Sequence, residues 1–145
     1  MSTPTPRILL PVDGSAPSIR AVDAAVRLAQ GLGAELDIVS VLDLLHVDPF
    51  EGYGMSDEQF AQLQVKHRDE ILLTALERVP PGGPIARTRL LRGPALKTLL
   101  KEAEGEGVEL VVLGRTGKGV FERLVQGSVA SGMAAHAAVP VVIVP

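Results

Sequence analysis

The chain has 145 residues, of which 46% are hydrophobic and 21% charged, with a formal net charge of −3. That balance predicts one globular domain over 1–145 and argues against extended nucleic acid as a partner, so any anion site must be local. The absence of cysteine excludes disulfides, thiol catalysis and a thiolate-held metal, and no apolar run approaches the roughly 18 residues of a membrane span.

The opening stretch, Met1-Ser-Thr-Pro-Thr-Pro6, lacks the charged and apolar regions of a signal peptide, so a cytoplasmic location is expected. Arg7-Ile-Leu-Leu-Pro-Val12 is a short apolar run bounded by prolines and predicts a strand buried on both faces of a parallel sheet. Asp13-Gly14-Ser15 then turns the chain into a helix with Ile19, Val22, Val26 and Ala29 on one stripe, ended by Gly31 and Gly33. Asp13 has two readings. It is an Asx-turn residue shaping the turn, or a carboxylate at the strand's carboxyl edge, where open α/β sheets bind ligands.

Leu36 to Leu42 predicts the second strand, and Asp43 to Met55 a long connection near the site. His46, Asp48 and Glu51 in that connection fit no metal spacing and read as solvated loop polarity. Ser56-Asp-Glu-Gln59 is a capping box opening a second helix, whose apolar side holds Phe60, Leu63, His67, Ile71, Leu72 and Ala75. His67 is expected to pack there rather than to ligate.

Pro80 to Pro84 breaks the chain, and Ile85 to Leu91 reads as an edge strand whose arginines deter pairing. A third helix follows Arg92-Gly93-Pro94, burying Leu96, Leu99, Leu100 and Ala103 and ending at Gly105 and Gly107. Glu109 to Leu113 is the fourth strand. A small-residue helix, Val129 to Ala138, is expected to pack closely on the sheet through Ala130, Ala134, Ala135, Ala137 and Ala138. His136 near its end suits the helix dipole when protonated. Pro140 to Pro145 holds the last strand. Strands alternating with helices imply parallel strands and right-handed crossovers, giving five strands and four helices in an α/β fold.

Between the fourth strand and the last helix lies Gly114-Arg-Thr-Gly117-Lys-Gly-Val-Phe-Glu-Arg-Leu-Val-Gln126-Gly127-Ser128. Its glycines let backbone N–H groups face outward, and Gly127-Ser128 sits at a helix mouth whose unpaired N–H groups favour an anion. Ser128 is expected to be the N-cap and a phosphate donor rather than a nucleophile. Arg115 and Lys118 add positive charge. A P-loop would place a glycine at Val112 and Ser or Thr at Gly119, and a dinucleotide fingerprint would need another glycine order.

What remains, G-x2-G-x9-G-S after a late strand, resembles the nucleotide-binding signature of the universal stress protein family, in its ATP-binding subgroup. Ile8-Leu-Leu-Pro-Val-Asp13-Gly-Ser15 is similar to the family's opening strand and turn, and Val139 to Val144 to its closing strand. The resemblance implies a single-domain Rossmann-like three-layer sandwich of sheet order 3-2-1-4-5, with ATP across the carboxyl edge where the order reverses. It implies that Asp13 binds ribose hydroxyls. Pro11, Val12, Val41 and Leu113 would line the adenine pocket, while Gly114, Gly117, Gly127, Ser128 and the Val129 amide hold the phosphates. Magnesium or manganese would bridge those phosphates.

The implied function is a nucleotide-dependent regulator or sensor in stress response, with no residue assigned a catalytic or metal-ligating role. The alternatives are a slow metal-dependent ATPase or autophosphorylating protein, and a dimeric interaction module that binds no nucleotide. The apolar final strand, Val141 to Val144, would be an unguarded edge, and a homodimer through it is expected.

Overall fold

The computed structural model describes residues 3–43, 56–116 and 127–145. The apolar runs become strands β1 (Arg7–Pro11), β2 (Glu35–Leu42), β3 (Ala86–Arg92), β4 (Val108–Gly114) and β5 (Val141–Val144). They pair in parallel in the order β3-β2-β1-β4-β5, as expected. Between them run α1 (Ala16–Leu32), a second helix α2 over 57–77, α3 (Ala95–Ala103) and α4 (Ser128–His136).

Two apolar clusters sandwich the sheet. Side chains of Ile8, Leu10, Leu36 and Ile38 meet α1 and α2 on one face. Those of Leu9, Val39, Val111 and Leu113 meet α3 and α4 on the other. The central strands are therefore apolar on both sides, which is why they read as continuous runs rather than alternating ones.

Several boundaries and contacts differ from the expectation. Gly31 lies inside α1, and Gly33 alone ends it, in the left-handed conformation at φ 65°. The Ser56–Gln59 capping box is present, but α2 widens into a π-helical stretch over Lys66–Leu72. Within it His67 Nδ1 lies 3.0 Å from the buried Ser40 hydroxyl on β2. Of the alanines expected to pack, Ala130 is buried and Ala137 packs against the core, while Ala134, Ala135 and Ala138 are exposed. The tightest approach falls at Gly132, where a Cβ would collide with Leu96 of α3.

β3 is an edge, as its charges suggest, yet Arg89 is not a free guard. It makes a two-pronged pair with Asp37 (3.0 and 2.7 Å) and reaches Glu102 of α3 at 2.7 Å. Asp37 is only 3% exposed and also faces Arg7 at 3.6 Å. The carboxylate bonds from Asp37 and Glu102 hold the Arg89 guanidinium charged well above its ordinary range, against the opposing effect of burial.

β5 is the other edge, and all four of its residues are half-buried. The Val111 N–H donates to Pro140 O and the Arg115 N–H to Val144 O. In a parallel ladder the peptide groups of alternate residues point the same way. Residues 140, 142 and 144 thus turn towards β4, and Val141 and Ile143 turn their N–H and C=O to the open side.

Candidate functional site

The sheet order reverses direction between β1 and β4, because β1 leads outward to β2 while β4 starts the return. In an open α/β sheet a crevice forms at the carboxyl ends of strands at such a point. Here it is a cavity of about 590 Å³. Ten sequence-predicted residues line it: Pro11, Val12, Asp13, Val41, Leu113, Gly114, Arg115, Gly127, Ser128 and Val129. Gly117 and Lys118 lie outside the described residues, as do His46, Asp48 and Glu51.

The first strand delivers Asp13 through a turn tied by serines. The Ser15 N–H donates to Asp13 Oδ1 at 2.9 Å, so the Asx-turn role is real. The Asp13 N–H donates to Ser18 Oγ at 3.1 Å, and the Ser18 N–H to Ser15 Oγ at 3.3 Å. These bonds fix the carboxylate at the cavity wall, so turn and ligand roles for Asp13 are compatible. Ser15 also caps α1.

On the opposite wall, α4 differs from the expectation in one respect. The N-cap is Gly127, at φ −63° and ψ 156°, with no side-chain bond closing the helix mouth; Ser128 is the first helical residue. A glycine has no oxygen to offer its own helix, so the mouth stays open. The Gly127 N–H is committed to Arg115 O at 2.8 Å. The donors that α-helical geometry leaves without an intrahelical partner are therefore those of Ser128, Val129 and Ala130. Close by, Arg115 Nε is buried without a hydrogen-bond partner among the described residues. Open N–H groups at a positive dipole end and a desolvated guanidinium nitrogen together suit an anion.

The wall that sequence reasoning missed comes from the third helix. Pro94, Ala95, Leu96 and Leu99 line the cavity, joined by Asp43 and Ser18. The connection from β3 to β4 must pass over β2 and β1, which carries the start of α3 across the carboxyl edge. Leu96 and Leu99 carry a helical stripe that announces burial, but nothing local announces that they face a cavity. The cavity is thus lined by the apolar side chains of Val12, Val41, Leu96, Leu99 and Leu113 and by the N-terminus of α4.

The family model for universal stress proteins matches residues 4–145. The chain belongs to the universal stress protein family. Among its relatives, a universal stress protein of Methanocaldococcus jannaschii is 31% identical over 140 residues, covering 95% of this chain and 81% of that protein. Among solved structures, the universal stress protein UspA of Lactobacillus plantarum superposes with a TM-score of 0.74 at 25% identity, covering all of both chains (100% each). The universal stress protein of Archaeoglobus fulgidus in complex with dAMP gives a TM-score of 0.69 at 20% identity, covering 99% of this chain and 100% of that one. The five-stranded Rossmann-like universal stress protein fold thus accounts for the order of the strands and the place of the cavity. No helix among the described residues is long and apolar enough to cross a membrane.

Proposed function

We propose that the cavity binds an adenine nucleotide, ATP foremost, and that the protein is a nucleotide-dependent regulator or sensor in stress response. The observation that carries this is one cavity lined both by apolar side chains and by the open α4 mouth, with Arg115 Nε buried and without a partner among the described residues. A purine is flat and apolar on its faces, a ribose offers hydroxyls that a carboxylate such as Asp13 accepts, and phosphates match the N–H cluster. The dAMP held by the Archaeoglobus fulgidus relative is of the same ligand class. Among the described residues no group of three or more His, Cys, Asp or Glu stands together, so magnesium or manganese would draw its ligands chiefly from the phosphates. Calorimetry of the purified protein should show one ATP per chain. A protein that takes up neither ATP, ADP nor AMP would overturn the proposal and favour an interaction module.

Slow turnover follows from the same geometry. Hydrolysis needs a group to orient water and a cation fixed at the γ-phosphate, whereas binding needs only the donors already present. With excess protein, phosphate release should run far below the ~10 s⁻¹ typical of enzymes, with or without magnesium or manganese. Release within seconds that disappears in Ser128→Ala would make the protein a catalyst.

A homodimer through β5 belongs to this proposal as well. The peptide groups of Val141 and Ile143 turn to the open side of an apolar edge, a template for a second copy around a two-fold axis. Ile143→Pro removes one outward donor and leaves the β4 ladder intact. Light scattering should find that variant monomeric and folded; a dimeric Ile143→Pro would place the interface elsewhere.

A further inference from the structure

The cavity and the β5 edge meet in one residue. Arg115 lines the cavity, and its backbone N–H donates to Val144 O at 2.7 Å, closing the carboxyl end of the β4–β5 pairing. Its carbonyl accepts from the Gly127 N–H at 2.8 Å, which ties the same residue to the N-cap of α4. β5 itself is an edge strand of four residues, and none of them is among the described residues that line the cavity. Whatever a ligand does to β5 therefore passes through a neighbour. Past the strand, Arg20 Nε donates to Pro145 O at 2.7 Å, an exposed bond with which water competes.

The Arg115 side chain supplies a reason for this link to have two settings. Its Nε is buried without a partner among the described residues. A guanidinium stays protonated, so a buried N–H with no acceptor penalises the closed arrangement while the cavity is empty. Swinging the side chain out to water satisfies Nε but pulls on the peptide that holds Val144. A phosphate oxygen at the α4 mouth satisfies Nε in place and removes that pull.

We propose that Arg115 is a latch between the nucleotide and the β5 edge: an empty cavity biases it open and loosens the end of β5, while bound phosphates close it and firm the strand. This rests on the nucleotide reading above and adds to it how occupancy is read out. The readout is the edge itself, because a second copy pairs best with a strand held firmly against β4. By linkage, pairing raises nucleotide affinity by the same factor as nucleotide favours pairing.

Amide hydrogen exchange of the full chain tests the latch at Val142 and Val144, whose N–H groups turn towards β4. With ATP at a concentration that calorimetry shows to be saturating, both should exchange about ten-fold slower, the scale of one unsatisfied buried hydrogen bond. The Arg87 amide on β3, the opposite edge, should stay within about two-fold. Arg115→Met keeps the aliphatic stem and removes the orphaned N–H, and Arg115→Leu is a second such variant should the first fold poorly. Without nucleotide, Val144 in either should already exchange about ten-fold slower than in wild type. Light scattering should find the dimer forming at lower protein concentration when ATP is present. ATP that binds without slowing Val144, or slows Arg87 equally, overturns the latch and leaves the nucleotide reading standing. So does a nucleotide-free Arg115→Met whose Val144 exchanges as fast as wild type, and an unmoved dimer midpoint overturns the readout by pairing. A wild type that binds no adenine nucleotide overturns both the latch and the nucleotide reading.

Discussion

Gly127→Leu should abolish ATP binding while the protein stays folded. Gly127 sits at φ −63° and ψ 156°, a conformation open to any L-residue, so the substitution brings no backbone strain. Its two backbone bonds, from its own N–H to Arg115 O and from the Ser131 N–H to its carbonyl, survive the change. The added side chain instead takes volume at the cavity wall, beside the Ser128 and Val129 N–H groups assigned to phosphate. An anion held by short hydrogen bonds tolerates no such intrusion, and the loss should exceed about 100-fold, or roughly 2.7 kcal/mol. Calorimetry reads the affinity and a thermal melt confirms the fold. Unchanged affinity in a folded Gly127→Leu would move the ligand away from α4.

The legibility of this chain follows how local each signal is. β1, β4 and β5 were visible because strands packed in the sheet carry runs of apolar residues, and β2 through its β-branched residues despite Asp37 and Ser40 within it. The strand order came from the family resemblance, since no spacing in the chain states which strand lies beside which. Asp13 and the glycine segment were legible because each is one short stretch at a strand end. The Pro94–Leu99 wall was not, because it joins the cavity only through the long β3-to-β4 crossover. Asp37 and Arg89 are hidden for the same reason. They lie on neighbouring strands, 52 residues apart in sequence, and only the β2–β3 register brings them together. Ala134, Ala135 and Ala138 misled because small residues permit close packing without specifying which face is packed; Ala130 is buried, and the tightest approach is Gly132 against Leu96.

Gly114 shows how one motif residue can serve stability before it serves any ligand. It lines the cavity, yet a Cβ built on it would stand 2.7 Å from the Ser18 nitrogen and 2.8 Å from the Pro17 carbonyl carbon. Both are backbone atoms in the first turn of α1, which rests directly on the end of β4 and cannot swing aside as a side-chain tip would. Gly114→Ala should therefore destabilise the ligand-free protein by about 3 kcal/mol, the upper range for overpacking a well-filled site. For a chain of this length that corresponds to a melting temperature lower by roughly 10 °C. Nucleotide affinity should fall as well, because moving α1 disturbs the Ser18 hydroxyl that accepts from the Asp13 N–H. The two glycine variants then separate cleanly in urea unfolding without nucleotide: the midpoint drops for Gly114→Ala and holds for Gly127→Leu. An unchanged midpoint for Gly114→Ala would mean that α1 can yield at its N-terminus, and would leave Gly114 with a ligand-binding role alone.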